Sequence, residues 1–376
     1  MTTPPSCHSS LPLHIVEPTL SGEAGHCMSL VRALSAAAAQ AGCHNITVWG
    51  GRTAATAAWV GPGQLRAHFH RRWRRLQALA LYRQLLRQPG RVLVSTAGSA
   101  DLVSLDWAAR LSGSSRIPRN KVTLFVHWLK VKPGKARLYS AIARRQPDLK
   151  ILAPTAGVVE FFQTCGFAAQ QVAYPLDASG DDASTHPAPP PFQHLLVPGA
   201  ARMDKGFGHI VDLVEAMEQR GLTWPIFVQT SLEHGHHKDQ DLAAALARLS
   251  ACGYPGLVQC NEALDRNRYH ALFEGAVVIQ PYRATDFQDR VSGVTLDALR
   301  AGAPIVVTEG TWMARLVQRH HAGVATSDLS PSGLIHAIET ILADHRSFAE
   351  RARQAASQVL AEHSASGLIQ AVLAES

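Results

Sequence analysis

Residues 286–308 read DFQDRVSGVTLDALRAGAPIVVT. Val294 to Ala301 suits a helix, Gly302 ends it, and the apolar run Ile305-Val306-Val307 is short enough for a buried strand. Asp289 then falls in the loop before the helix and Asp297 in its first turn or so. The amino terminus of a helix carries about half a positive charge and unpaired N–H groups. An anion can therefore dock between the two carboxylates, and a phosphate flanked by hydroxyl-seeking carboxylates suits a nucleotide sugar. The plainer alternative is that the acids only complement the helix dipole.

The same alternation of helix and apolar strand extends in both directions. Upstream the strand-like runs are LHIV (13–16), ITVW (46–49), RVLVS (91–95), VTLFV (122–126), KILA (150–153) and QVAY (171–174), with helical patterns between them. Next comes LDASGDDASTHPAPPPF (176–192), rich in Asp, Ser, Ala and Pro and without periodicity, which reads as a linker. HLLVPG (194–199), PIFVQT (225–230), GLVQC (256–260), AVVIQ (276–280), PIVVT (304–308) and GVAT (323–326) resume the pattern, and from about Ser330 the chain is helical. Such alternation gives β-α-β units and parallel sheets. The expected class is α/β, with two Rossmann-like doubly wound domains facing each other across a cleft. We assign 1–178 to the first, 179–192 to the linker and 193–355 to the second, with 356–376 a helix packing back toward the first domain. In open α/β folds ligands bind beyond the carboxyl ends of strands, so the chemistry should sit in loops that follow strands.

Size and composition agree. The 376 residues exceed what one core usually organises, and 46% hydrophobic with 17% charged is ordinary for a globular protein. MTTPPSCHSS has no basic start followed by an apolar core, and no apolar run approaches the ~18 residues of a membrane span. A cytoplasmic protein is expected. The six cysteines are scattered, with no C-x-x-C and no zinc-ligand spacing.

A net charge of +7 points to an anionic partner. Residues 65–91, LRAHFHRRWRRLQALALYRQLLRQPGR, hold eight arginines and no acid. Phe69, Trp73, Leu76 and Ala80 fall at helical spacing, which predicts one amphipathic basic helix. It reads as a solvated outer helix or as a seat on an acidic lipid surface, peripheral at the inner face of the membrane. No nucleic acid is expected, because no helix-turn-helix, zinc-finger or RNP-like pattern accompanies the arginines.

Other candidates lie where strands end. Gly22 and Gly25 follow LHIV and open a helix, letting a substrate approach the backbone, without a full G-x-G-x-x-G. Arg202 and Lys205 follow HLLVPG beside a glycine turn and suit a diphosphate, Lys as a point charge and Arg as a fork. His127 follows VTLFV. The cluster EHGHH (233–237) fits no standard metal site, and Asp239 and Asp241 read as a helix start.

Taken together, these residues resemble the retaining nucleotide-sugar glycosyltransferases of the GT-B fold, the family-4 type (glycosyl transferases group 1). The family's E-x7-E followed by A-[ML]-A-x-G-x-P-[IV]-[IV] stands here as D-x7-D followed by ALRAGAPIVV, and its G-x-x-R-x-x-K-G-F as GAARMDKGF. The resemblance covers nearly the whole chain. It implies that Asp297 binds the nucleotide ribose hydroxyls and that Asp289 lies near the donor sugar. It implies that N–H groups of Ser292, Gly293 and Val294 hold the distal phosphate, and that Arg202 and Lys205 neutralise the leaving diphosphate. His127 matches the histidine near sugar and acceptor, and Gly22 and Gly25 line the donor phosphates or the acceptor. The implied activity is hexosyl transfer in polysaccharide or glycoconjugate biosynthesis, from a nucleotide diphosphate sugar to a saccharide or lipid-linked saccharide, with no other cofactor and no metal. Three departures stand out: both acids are Asp, Ala200 follows Gly199 where many members carry Arg, and nothing announces the base, leaving UDP, GDP and ADP open. A sugar-nucleotide epimerase of the same fold and a non-catalytic basic adaptor for membrane or nucleic acid are the alternatives.

Overall fold

The computed structural model describes residues 11–20, 26–52, 59, 61–129, 134–176, 189–231, 239–262 and 264–374. The chain divides into two compact units, residues 1–180 with 362–376 and residues 181–361.

The first unit carries a seven-stranded sheet of β1 (Leu13–Val16), β2 (Ile46–Gly51), β3 (Gln64–Phe69), β4 (Arg91–Val94), β5 (Val122–Phe125), β6 (Lys150–Ala153) and β7 (Ala168–Gln171), in the order β3-β2-β1-β4-β5-β6-β7. All its pairings are parallel. Its helices are α1 (His26–Gln40), α2 (Arg74–Arg87), α3 (Ser99–Leu111), α4 (Lys135–Arg145) and α5 (Ala156–Thr164). β1, β2, β4 and β5 are buried along their whole length, as a parallel strand covered on both faces must be. The C-terminal helix Ala365–Leu373 packs on α1. Its terminal carbonyls are held by cations: Arg91 Nη1 donates to the oxygens of Val372 (2.6 Å) and Ala374 (3.2 Å), and Lys150 Nζ to that of Ala371 (2.7 Å).

Three expectations fail here. The single basic helix over 65–91 is a strand, a turn and a shorter helix, because Gln64–Phe69 pairs with β2 and its Phe69 is buried at the sheet. The expected apolar stripe is wrong as well. α2 buries Ala78, Leu81, Tyr82 and Leu85, whereas Trp73 and Leu76 are 55% and 61% exposed. The strand expected at 171–174 instead spans Ala168–Gln171 at the sheet edge.

The second unit repeats the plan with β8 (His194–Val197), β9 (Ile226–Gln229), β10 (Leu257–Cys260), β11 (Ala276–Gln280), β12 (Ile305–Thr308) and β13 (Gly323–Thr326), in the order β10-β9-β8-β11-β12-β13. All of them are parallel. The helices are α6 (Phe207–Gln219), α7 (Gln240–Ala251), α8 (Arg266–Ala271), α9 (Ala284–Phe287), α10 (Gly293–Arg300), α11 (Trp312–His320), α12 (Pro331–Ala343) and α13 (His345–Glu362). Asp239 accepts from Leu242 N at 3.2 Å and so caps α7, as its sequence context suggested. β8 and β11 are neighbours from which the chain winds outward in opposite directions. That is a switch point, where loops diverge and leave room for a ligand at the strands' carboxyl ends.

Candidate functional site

The loops leaving β8 and β11 meet at this switch point. Gly199, just after β8, has a φ of +89°, and a Cβ there would lie 3.1 Å from Lys205 Nζ and 3.8 Å from Val294 Cγ2. Its N–H donates to Gln229 Oε1 at 2.6 Å, which ties the turn to the end of β9. Gly206 closes the 3-10 turn Met203–Lys205 with a φ of +72°. A Cβ at Gly206 would lie 1.9 Å from the carbonyl oxygen of Pro281, so only glycine lets this turn sit against the chain leaving β11. Arg283 N donates to Asp204 O at 3.0 Å across the same junction.

The side chains form a ring in which two adjacent aromatics lie between cations. Lys205 Nζ lies 5.8 Å from the Tyr282 ring, Tyr282 lies 4.6 Å from Phe287, and the Arg290 guanidinium lies 4.6 Å from Phe287. Asp204 closes the ring, receiving Arg202 Nε on Oδ1 (2.8 Å), Arg202 Nη2 on Oδ2, and Arg290 Nη1 on Oδ2 (3.3 Å). Burial alone would raise the Asp204 pKa, but the fork from Arg202, with Arg290 and Lys205 nearby, brings it below the ordinary carboxylate value. Burial and the neighbouring Arg202 lower the Arg290 pKa, and burial pushes the Tyr282 phenol up to about 12. Within the ring three cations face one carboxylate, a surplus of two positive charges.

α10 begins beside this ring. Ser292 is its N-cap, accepting from Thr295 N at 3.4 Å, and Gln280, at the end of β11, is held by Thr295 Oγ1 at 2.7 Å. A Cβ at Gly293 would meet nothing within 4 Å, so the first turn of the helix is open on that side. Val294 stands next to Gly199. Ser292, Gly293, Val294, Lys205 and Arg202 are thus gathered around one spot. Asp289 lies in the loop before α10, 3.8 Å from Arg315 of α11. Asp297 is the fifth residue of α10, at the end of its first turn, and accepts from the Tyr269 hydroxyl at 3.2 Å. His127 belongs to the first unit, half-buried after β5, with its ring edge-on to Tyr174 at 6.1 Å. Gly22, Gly25 and the EHGHH cluster lie outside the described residues.

Asp204, Arg290, Gln229, Tyr269 and Tyr282 escaped the reading of the sequence. Asp204 stands between the two cations already noted there, and Arg290 adjoins Asp289. Those adjacencies were the only signal. Among the described residues no group of three or more His, Cys, Asp or Glu could hold a metal ion. No described helix is long and apolar enough to cross a membrane.

No family model matches the sequence, and no curated protein matches it. Solved structures do match along nearly the whole chain. The trehalose-6-phosphate synthase OtsA superposes with a TM-score of 0.66 at 13% identity, over 97% of this chain and 99% of that one. HepE from Anabaena, in complex with UDP and glucose, gives 0.65 at 12%, over 96% and 98%. WaaG, a glycosyltransferase involved in lipopolysaccharide biosynthesis, gives 0.64 at 15%, over 96% and 100%. At such low identity what is shared is the backbone plan: the chain has the GT-B fold of two Rossmann-like parallel-sheet units found in these glycosyltransferases.

Proposed function

We propose that the chain is a retaining glycosyltransferase that moves a sugar from a nucleotide diphosphate donor to a saccharide or lipid-linked saccharide acceptor, in polysaccharide or glycoconjugate biosynthesis. The observation that carries this reading is the cationic ring of Arg202, Lys205 and Arg290 set beside the open first turn of α10, at the β8/β11 switch point. A surplus of two positive charges next to a helix amino terminus is what a diphosphate leaving group needs. In this reading Ser292, Gly293 and Val294 offer N–H groups to the distal phosphate, and Asp297 takes the ribose hydroxyls. Asp289 attends the transferring sugar. The first unit serves the acceptor, and the second serves the donor.

The anomeric C–O bond breaks with its electron pair passing to the diphosphate. The acceptor oxygen takes the anomeric carbon, and the acceptor proton passes to the departing phosphate oxygen. Because Arg202, Lys205 and Arg290 can neutralise the charge that develops, turnover is expected to persist in EDTA. Among the matched structures HepE holds UDP with glucose and UDP-glucose, which favours a nucleotide-sugar donor over a non-catalytic adaptor, and the likeness to WaaG and to a glycosyltransferase of Rickettsia africae favours transfer over epimerisation. We place the protein in the cytoplasm, peripheral at the inner face of the membrane. The test is Asp289→Ala assayed with the nucleotide sugar that the wild type turns over: at least a hundredfold loss of transfer is expected, and near wild-type turnover would sink the assignment.

A further inference from the structure

Asp297 does not stand alone in α10. Tyr269, on the α8 segment between β10 and β11, reaches it with its phenol and donates to Oδ2 at 3.2 Å. The Tyr269 ring is fixed edge-on against Phe273 (5.2 Å, 74°), which is itself fully buried. α8 is started by Asp265, whose carboxylate accepts from Arg268 N at 2.9 Å. An anchored ring therefore aims one O–H at one carboxylate oxygen. Burial, reinforced by the charge of Asp297, pushes the phenol well above its ordinary pKa, so it remains a donor throughout the working range.

A carboxylate is an acceptor only, with about four lone-pair positions. One phenol donor occupies one of them and fixes the rotation of the short Asp side chain. The 2′- and 3′-hydroxyls of a ribose are donors. We propose that Tyr269 is a positioning residue that orients Asp297 for ribose recognition, and so makes the site discriminate ribonucleoside from 2′-deoxyribonucleoside diphosphates. The inference rests on the donor-site reading of Asp297 given above. An oriented acceptor rejects a ligand that lacks the matching hydroxyl because it is left short of a donor. Without the phenol the carboxylate loses this oriented donor, and the site discriminates less.

Calorimetric titration of wild type, Tyr269→Phe and Asp297→Ala tests this, using UDP, GDP and ADP and the 2′-deoxy form of whichever binds best. Wild type should prefer the ribo form by roughly tenfold or more. Tyr269→Phe, which keeps the ring against Phe273, should weaken ribo binding about tenfold and deoxy binding far less, so that the preference shrinks. Asp297→Ala should abolish the preference. If Tyr269→Phe weakens both forms equally, or neither, while Asp297→Ala does abolish the preference, the tyrosine is merely structural and the inference falls alone. If Asp297→Ala keeps the full preference, or wild type binds no nucleoside diphosphate, the donor-site reading falls and takes the inference with it.

Discussion

Asp204 and Lys205 are neighbours in sequence and act in opposite senses. Lys205 supplies charge toward the site, while Asp204 spends its charge on Arg202 and Arg290. Lys205→Ala should weaken nucleoside diphosphate binding at least tenfold with little loss of stability, because the side chain is a point charge at the end of a flexible stem. Asp204→Asn should instead cost about 1–3 kcal/mol in stability, since two guanidiniums lose a charged acceptor. Its lowered pKa sets the sign of the pH dependence. The stabilisation is fully present above the ordinary carboxylate value of 3.8 and disappears as pH falls through the lower folded-state value. Urea unfolding across a pH series from 7 downward checks this: the gap between wild type and Asp204→Asn should narrow progressively as pH falls below 3.8, and a gap that does not narrow in acid would refute the charge-based account. At this scale the sequence was only half legible. Arg202 and Lys205 were visible as cations after a strand, but the fork of Arg202 is taken up by Asp204, and a side-chain pairing two positions apart leaves no periodic trace.

The most legible strands in the sequence were the buried, apolar ones, although the more exposed β10 and β13 were also read from their apolar residues. HLLV, AVVIQ and IVVT announce themselves because a parallel strand covered on both faces carries a run of three or more consecutive apolar residues, and AVVIQ and IVVT are buried throughout. β3 (QLRAHF) and β7 (AAQQ) are the two edge strands of the first sheet, mostly exposed and polar, so their backbone pairing had no counterpart in hydropathy. The misreading of β3 bears on function. With Phe69 drawn into the sheet, the run Arg71-Arg72-Trp73-Arg74-Arg75-Leu76 is exposed at every residue. α3 packs beside α2, and Arg83 Nε of α2 donates to Leu111 O at 3.0 Å. Trp107 and Leu111 on α3 are themselves about half exposed. We propose this patch as the peripheral seat: four arginines would contribute roughly 1 kcal/mol each at an acidic lipid surface, with an indole and a leucine to enter the headgroup layer. Flotation with phosphatidylglycerol vesicles should carry the wild type upward at low salt. Trp73→Ser with Leu76→Ser should lose most of that binding without changing the melting temperature, because neither side chain is part of the core. Binding that ignores salt, or is unchanged in the double variant, would exclude this surface.

Across the whole molecule the fold repeats itself: both sheets run 3-2-1-4-5-6 with a switch point at their centre, and the first adds a seventh strand. The charge chemistry is not repeated. The ring of Arg202, Asp204, Lys205 and Arg290 belongs to the second unit, whereas the switch point of the first sheet carries the buried carboxylate of Glu17, which accepts from Ser95 Oγ (2.7 Å) and Thr96 Oγ1 (2.6 Å). An acidic side chain at one switch point and a surplus of two positive charges at the other predict that a nucleoside diphosphate selects the second unit. Ligand bound to one folded state stabilises it by RT ln(1 + [L]/Kd), about 2.7 kcal/mol at a hundredfold excess over Kd. For a unit of this size that corresponds to a shift of roughly 5–10 °C. A thermal panel with UDP, GDP, ADP and dTDP should therefore raise melting strongly with one nucleotide, and the matching nucleoside, lacking the phosphates, should do little. Lys205→Ala should reduce the shift, whereas substitutions confined to Trp73 and Leu76 should leave it intact. A nucleoside that stabilises as well as its diphosphate would mean that base and ribose carry the binding, and the cationic ring would then have no part in the donor site.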